Sequence, residues 1–253
     1  MKNGVMNIEN VSVDFNGFKA LSEVNMFIDK NELRFLIGPN GAGKTTLLDI
    51  MCGKLKPSSG NVFFNGRTNI ISLAPHKICK AGISRKFQAP SIFGNLTVYE
   101  NMELSLTKNR EIISSLFHKI GKNEKEKIMT ILERVKLDEK KGMNAGSLAH
   151  GEKQWLEIAM TIIQDPYLLL VDEPVAGMTG KEREYTGIIL QEVARTSSVI
   201  VVEHDMNFVE NFSRNVTVLH EGRILCEGTF EEIKKDPYVI EVYLGRDGGK
   251  VNA

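Results

Sequence analysis

Gly38-Pro39-Asn40-Gly41-Ala42-Gly43-Lys44-Thr45 is the stretch on which the fold turns. It follows a strand-like apolar run at 33–37 and precedes a helix-like segment at 46–52, the context in which G-x-x-x-x-G-K-[ST] forms a phosphate-binding loop. Each residue type has a task. Glycines let backbone N–H groups turn inward around phosphates, and the start of the following helix adds positive potential. Lys44 is placed to reach terminal phosphates, and Thr45 offers a hydroxyl to Mg2+. Gly38, Pro39, Asn40, Gly41, Ala42, Gly43, Lys44, Thr45 and Thr46 are therefore candidate nucleotide-binding residues. A plain glycine-rich turn is the alternative, and the complete set of fixed positions argues against it.

Outward from this loop, residues 167–171 and 199–202 are uninterrupted apolar runs, as expected of parallel strands covered on both faces. Between them Tyr185, Ile188 and Ile189 recur at helical spacing after Gly180, so strand, helix and strand alternate in an α/β core. Asp172-Glu173 and Glu203-His204 directly follow the two runs, which places them at the carboxyl ends of the strands, where ligands of open α/β sheets gather. With a phosphate-binding loop at the same edge, Asp172 is assigned to the metal shell and Glu173 to the base that polarises water.

The remaining chain supplies the surroundings. Ile8, Val11, Val13 and Phe15 alternate with polar residues and lead to Asn16-Gly17, a hairpin signal before the apolar stretch 24–28. From about residue 90 to 146 strand signals fade, and Ile128, Ile131, Leu132 and Val135 mark an amphipathic helix preceded by a charged segment at 119–127. Near the end, Glu221-Gly222 marks a second hairpin, Thr229-Phe230-Glu231-Glu232 reads as a capping box, and Pro237 is expected to stop the short helix it opens.

Composition narrows the class. The chain has 253 residues, 42% hydrophobic, with 32 Lys plus Arg against 32 Asp plus Glu, so no net field favours nucleic acid. Three separated cysteines, Cys52, Cys79 and Cys226, fit a reducing compartment and no metal pattern. No apolar run approaches the roughly 20 residues that cross a bilayer, so a membrane role requires a partner.

With these elements in this order, the sequence resembles the ABC-transporter ATPase family over essentially its whole length. The resemblance implies an α/β P-loop NTPase core, residues 1–89 and 161–253, with an N-terminal antiparallel β subdomain and an α-helical insertion at 90–160. It implies ATP and Mg2+ as cofactors. It also implies that Phe15 stacks on adenine, with Phe18 as its rival, that Gln88 senses Mg2+ and the membrane domain, and that His204 contacts the terminal phosphate. Leu148-Ala149-His150-Gly151-Glu152 occupies the signature position ahead of an apolar helical stripe, Trp155, Ile158, Ala159, Ile162 and Ile163. In the family this segment closes over ATP held by a second ATPase subunit, as hetero- or homodimer. The usual Leu-Ser-Gly-Gly-Gln is altered here: Ala149 replaces serine, His150 a glycine and Glu152 the glutamine. Thr179 stands where many relatives have Asp.

The stretches 149–157, 173–179 and 239–245 look like the branched-chain amino-acid and amide uptake branch, and within it they are most similar to urea importers. That resemblance implies transmembrane permease subunits as partners, indirectly a periplasmic or surface solute-binding protein, no nucleic acid, and a place on the cytoplasmic face of the membrane. A branched-chain amino-acid importer is the neighbouring reading. A soluble ATPase of complex assembly and a module that no longer hydrolyses are others, the last opposed by Lys44, Glu173 and His204.

Overall fold

In the computed structural model, residues 4–66, 68–86, 92–106 and 121–244 are described. Met6–Phe15 (β1) and Phe18–Ile28 (β2) pair antiparallel across Asn16-Gly17, whose φ angles of +53° and +93° are those of a type I′ hairpin turn. On its other side β1 pairs with Ser59–Phe64 (β4), which pairs with the short Thr68–Asn69 (β5). The result is a four-stranded antiparallel sheet, β2-β1-β4-β5.

A second sheet is built from Leu33–Ile37 (β3), Ile83–Lys86 (β6), Leu168–Asp172 (β7), Ser198–Val202 (β8), Asn215–His220 (β9) and Arg223–Gly228 (β10). Its order is β10-β9-β3-β8-β7-β6. Strands β9, β3, β8, β7 and β6 run parallel, and β10 folds back antiparallel through Glu221-Gly222. The two apolar runs of the sequence are thus interior strands, as their lack of polar residues requires.

Alternation along those strands divides the core. Leu168, Leu170, Ile200 and Val202 face a cluster shared with the antiparallel sheet and with helix Lys44–Met51 (α1). Leu169, Val171, Val199 and Val201 face the opposite way. That second cluster is closed by Val98–Ser105 (α3), Lys122–Arg134 (α4), His150–Ile162 (α5), Gly180–Val193 (α6), Met206–Phe212 (α7) and Phe230–Ile233 (α8). Pro75–Ala81 (α2) leads into β6 and buries Ile78 on the α1 side.

Several local expectations shift. The charged run expected ahead of a helix lies largely inside it: α4 opens at Lys122, and its lysines and glutamates form the outer face of the turn that buries Ile128, Ile131 and Leu132. Ile188 is exposed, so the buried stripe of α6 passes through Ile189, Leu190 and Val193. Pro237 starts a helix, Pro237–Leu244 (α9), after α8 has ended at Lys234. Proline at a first helical position loses no hydrogen bond, since that N–H has no intrahelical partner. The antiparallel strand β4, helix α2 and strand β6 carry no strong periodic signal in the sequence.

The start of α5 is packed against the start of α6. Thr179 caps α6 in a reciprocal box with Glu182, whose carboxylate accepts from Thr179 N at 2.8 Å and from Thr179 Oγ1 at 2.7 Å. A Cβ on Gly151 would lie 2.4 Å from Glu182 Oε1, so an added methyl must dislodge that carboxylate. Gly151→Ala is expected to lower stability by about 1–2 kcal/mol, the usual worth of a helix cap, in denaturant unfolding. In combination with Glu182→Ala the loss is expected to be less than additive, and full additivity would rule out this contact as the cause.

Candidate active site

Because five strands are parallel, their carboxyl ends lie at one edge, and the chain leaves β3, β7 and β8 there into 38–45, Glu173 and Glu203-His204. The loop after β3 closes onto α1 through Gly43, the helix N-cap, at φ +102°. A Cβ at that position would stand 2.7 Å from the Ala20 carbonyl, so neither the conformation nor the space admits a side chain. Lys44 Nζ donates to the carbonyls of Gly38 and Pro39 at 2.7 and 3.1 Å, which holds the ammonium inside the curve of the loop. Burial pushes Lys44 below the ordinary lysine range, opposed by the charges of Glu173 and Asp172.

Asp172 has the parity of Leu168 and Leu170 and so turns toward α1. It is 5% exposed. Burial raises its pKa against the opposing pull of Arg85, whose Nη2 is 3.3 Å from Asp172 Oδ2. Glu173 follows in a left-handed conformation, φ +47°, with its N–H donating to Val202 O at 2.9 Å. A non-glycine residue there stores about 1 kcal/mol or more. The bond to the end of β8 sustains that conformation. Glu173 Oε1 lies 3.5 Å from Nδ1 of His204. The two candidate reacting side chains, read from separate strand ends, are therefore neighbours.

Glu203 arranges them. Its buried carboxylate accepts from Val175 N at 3.3 Å on the loop that carries Glu173, and from His204 N at 3.1 Å and Asp205 N at 3.4 Å on its own. Burial still raises its pKa despite these three donors. The sequence places Glu203-His204 at the edge without a role for Glu203; that Glu203 bridges two loops follows only from the fold.

The signature segment begins α5. Ala149 is the N-cap and has no side-chain oxygen to offer, and Glu152 reaches back to accept Ala149 N–H at 3.1 Å while pairing with Lys140. His150 Nε2 lies 3.1 Å from the Ala176 carbonyl, and because a carbonyl only accepts, that nitrogen carries the proton. Leu148 is buried. Glu152 and Glu182 bring two carboxylates to this helix start, which is less bare toward an anion than the sequence implies. Thr179 performs as a hydroxyl the capping that an aspartate there would perform.

A cavity of about 280 Å3 beside the phosphate loop is lined by Phe18, Lys19, Pro39, Asn40, Gly41, Ala42, His220 and Glu221. Phe15 stands across the hairpin turn, paired in register with Phe18, and is exposed without lining this space. Gln88 lies outside the described residues. Strand β6, ending at Lys86, reaches the same sheet edge.

The donors suit a magnesium nucleotide. Thr45 and Asp172 carry hard oxygen atoms, and among the described residues no group of three His, Cys, Asp or Glu gathers as an all-protein cage. Mg2+ is characteristically held by one or two protein oxygens together with phosphates and water.

A family model described as ABC transporter matches residues 21–176, and one described as branched-chain amino acid ATP-binding cassette transporter matches 223–249. The chain is 34% identical to the probable branched-chain amino acid transport ATP-binding protein LivG of Archaeoglobus fulgidus, over 98% of each chain. It is 32% identical to the high-affinity branched-chain amino acid transport ATP-binding protein BraF of Pseudomonas aeruginosa, covering 97% of this chain and 99% of that one. Among solved structures, the ADP conformation of an ATP-binding cassette of an ABC transporter superposes with a TM-score of 0.83 at 30% identity, covering 96% of this chain and 99% of the other. A phosphate loop, a buried aspartate and a paired glutamate and histidine at one sheet edge, in a chain matched along its length by such relatives, make this protein a member of the ABC transporter ATP-binding family, a transport-coupled ATPase.

Proposed function

We propose that the chain is the ATP-hydrolysing subunit of an importer for a small polar solute, urea, bound through permease subunits to the cytoplasmic face of the membrane. The observation that carries the ATPase reading is the 3.5 Å approach of Glu173 and His204 at the edge that also holds Lys44 and Asp172. The urea reading is supported by the stretches 149–157, 173–179 and 239–245. The relatives' names favour the neighbouring reading, branched-chain amino acids. Among the described residues no helix is long and apolar enough to cross a membrane, in keeping with solute passage through separate subunits.

In this reading backbone N–H groups of 38–46 bind the phosphates and Lys44 neutralises the terminal one. Thr45, Asp172 and Gln88 would hold Mg2+, which would supply neutralisation of the phosphate charge. Glu173 takes the proton of the attacking water as its oxygen bonds to the terminal phosphorus and the bond to ADP breaks. His204, oriented by the Glu203 bridge, steadies the phosphate and the Glu173 carboxylate. The segment 148–152 serves a nucleotide held by the second ATPase subunit, with Ala149 contributing its backbone alone. Adenine rests on the aromatic hairpin, on Phe15 by family resemblance or on Phe18 by its place in the cavity beside the loop.

Glu173→Gln preserves shape and removes the base. Its affinity for a fluorescent ATP analogue is expected to stay within about threefold, while phosphate release in the assembled transporter falls at least about 100-fold. Near-normal steady-state hydrolysis would reject Glu173 as the base.

For the adenine platform, Phe15→Ala and Phe18→Ala are compared by nucleotide titration. Loss of base stacking is worth about 1–3 kcal/mol, so substitution of the true platform weakens binding about fivefold or more. The other position changes it little, and equal, small effects would remove the hairpin from the site.

For the solute, cells lacking this subunit are expected to lose uptake of labelled urea at low concentration and to keep uptake of labelled leucine. The reverse pattern establishes the branched-chain amino-acid reading. If neither changes and no permease copurifies with the chain, an importer role is wrong.

A further inference from the structure

Strand β6 carries Ile83, Ser84, Arg85 and Lys86, and alternation sends its two cations to opposite faces. Lys86 is buried toward α5, 3.4 Å from Glu157 Oε2. Arg85 turns toward α1, and its side chain is 5% exposed. Its guanidinium joins two acids from different elements: Nη1 donates to Asp49 Oδ1 on α1, and Nη2 lies 3.3 Å from Asp172 Oδ2 at the end of β7. Nη1 is also 3.6 Å from Cys52 Sγ.

Asp49 is four residues after Thr45 on α1 and therefore on the same helix face. The two oxygens proposed for the metal, Thr45 Oγ1 and the Asp172 carboxylate, belong to elements that the planar fork of Arg85 fastens together. One guanidinium thus ties α1, through Asp49, to the end of β7, where it engages Asp172 through Oδ2. A lysine cannot span both acids in one plane.

From this arrangement we infer that Arg85 is a positioning residue for the nucleotide-bound metal, holding the Thr45 hydroxyl and the Asp172 carboxylate at the spacing one ion requires. The inference rests on the proposed metal roles of Thr45 and Asp172. It assigns Arg85 no contact with phosphate or water.

The test is made in the Glu173→Gln background with Mn2+ as the probe, read by its EPR signal at saturating ADP. Nucleotide affinity is measured in parallel with metal removed by chelator. Arg85→Met is expected to weaken Mn2+ binding at least about tenfold and to change metal-free nucleotide affinity less than about threefold. Arg85→Lys falls between Arg85→Met and the unsubstituted protein. Asp49→Asn, which weakens the other anchor of Arg85, lowers Mn2+ affinity in the same direction by a smaller factor.

Unchanged Mn2+ affinity in Arg85→Met and Asp49→Asn overturns the inference. So does a parallel fall in metal-free nucleotide binding, or unfolding of every Arg85 and Asp49 variant, since either makes the cluster a general structural support. Asp172→Asn separates the two levels. If it leaves Mn2+ binding intact, the metal assignment itself fails, whereas a loss there with no effect of Arg85→Met defeats the positioning role alone.

Discussion

Burial of the parallel sheet on both faces is the constraint from which the rest follows. Leu168, Leu170, Ile200 and Val202 are covered by α1 and the antiparallel sheet, and Leu169, Val171, Val199 and Val201 by the helices opposite. A polar group along such a strand would face apolar surroundings, at a cost that only a complete set of partners offsets. The chemistry is thereby displaced to strand ends, where the backbone leaves the sheet. Parallel direction then gathers those ends at one edge, bringing residues as distant in sequence as Lys44, Glu173 and His204 together.

The edge is held by bonds between neighbouring exits more than by any single loop. Glu173 N–H is anchored on the Val202 carbonyl at 2.9 Å, and Glu203 returns the connection by accepting from Val175 N at 3.3 Å. The left-handed backbone at Glu173 is affordable because β7 and β8 are already paired up to Asp172 and Val202. A side chain whose backbone is fixed by its neighbours, as the proposed base Glu173 is, has little reorganisation left for the moment of reaction.

What could be read from the sequence follows from which signals are local. The phosphate loop is a contiguous pattern with a distinct role for each position, and β7 and β8 are visible as uninterrupted apolar runs. The Asn16-Gly17 and Glu221-Gly222 turns declare hairpins through residues that accept positive φ. Strand β6 was hidden because Ser84, Arg85 and Lys86 look like a loop, and their burial is tolerable only through Asp49, Asp172 and Glu157, partners on distant segments. The bridging role of Glu203 and the tight fit of Gly151 against Glu182 depend on the same kind of non-local contact. Pro237 is ambiguous for a different reason, since a proline that cannot continue one helix is equally suited to begin the next.

Among the described residues, strand β6 is also the outer strand of its sheet, bonded on one side to β7. An outer strand offers unpaired backbone groups on which a foreign chain can extend the sheet, and a flat apolar one is a hazard during folding. Here two successive cations must each find an acid on its own side, Arg85 at α1 and β7, Lys86 at α5. A slip of one residue would exchange their faces and break the ion pairs that each cation makes with the acids on its own side. The same pair of cations therefore fixes the register of this strand and makes it a poor template for aggregation.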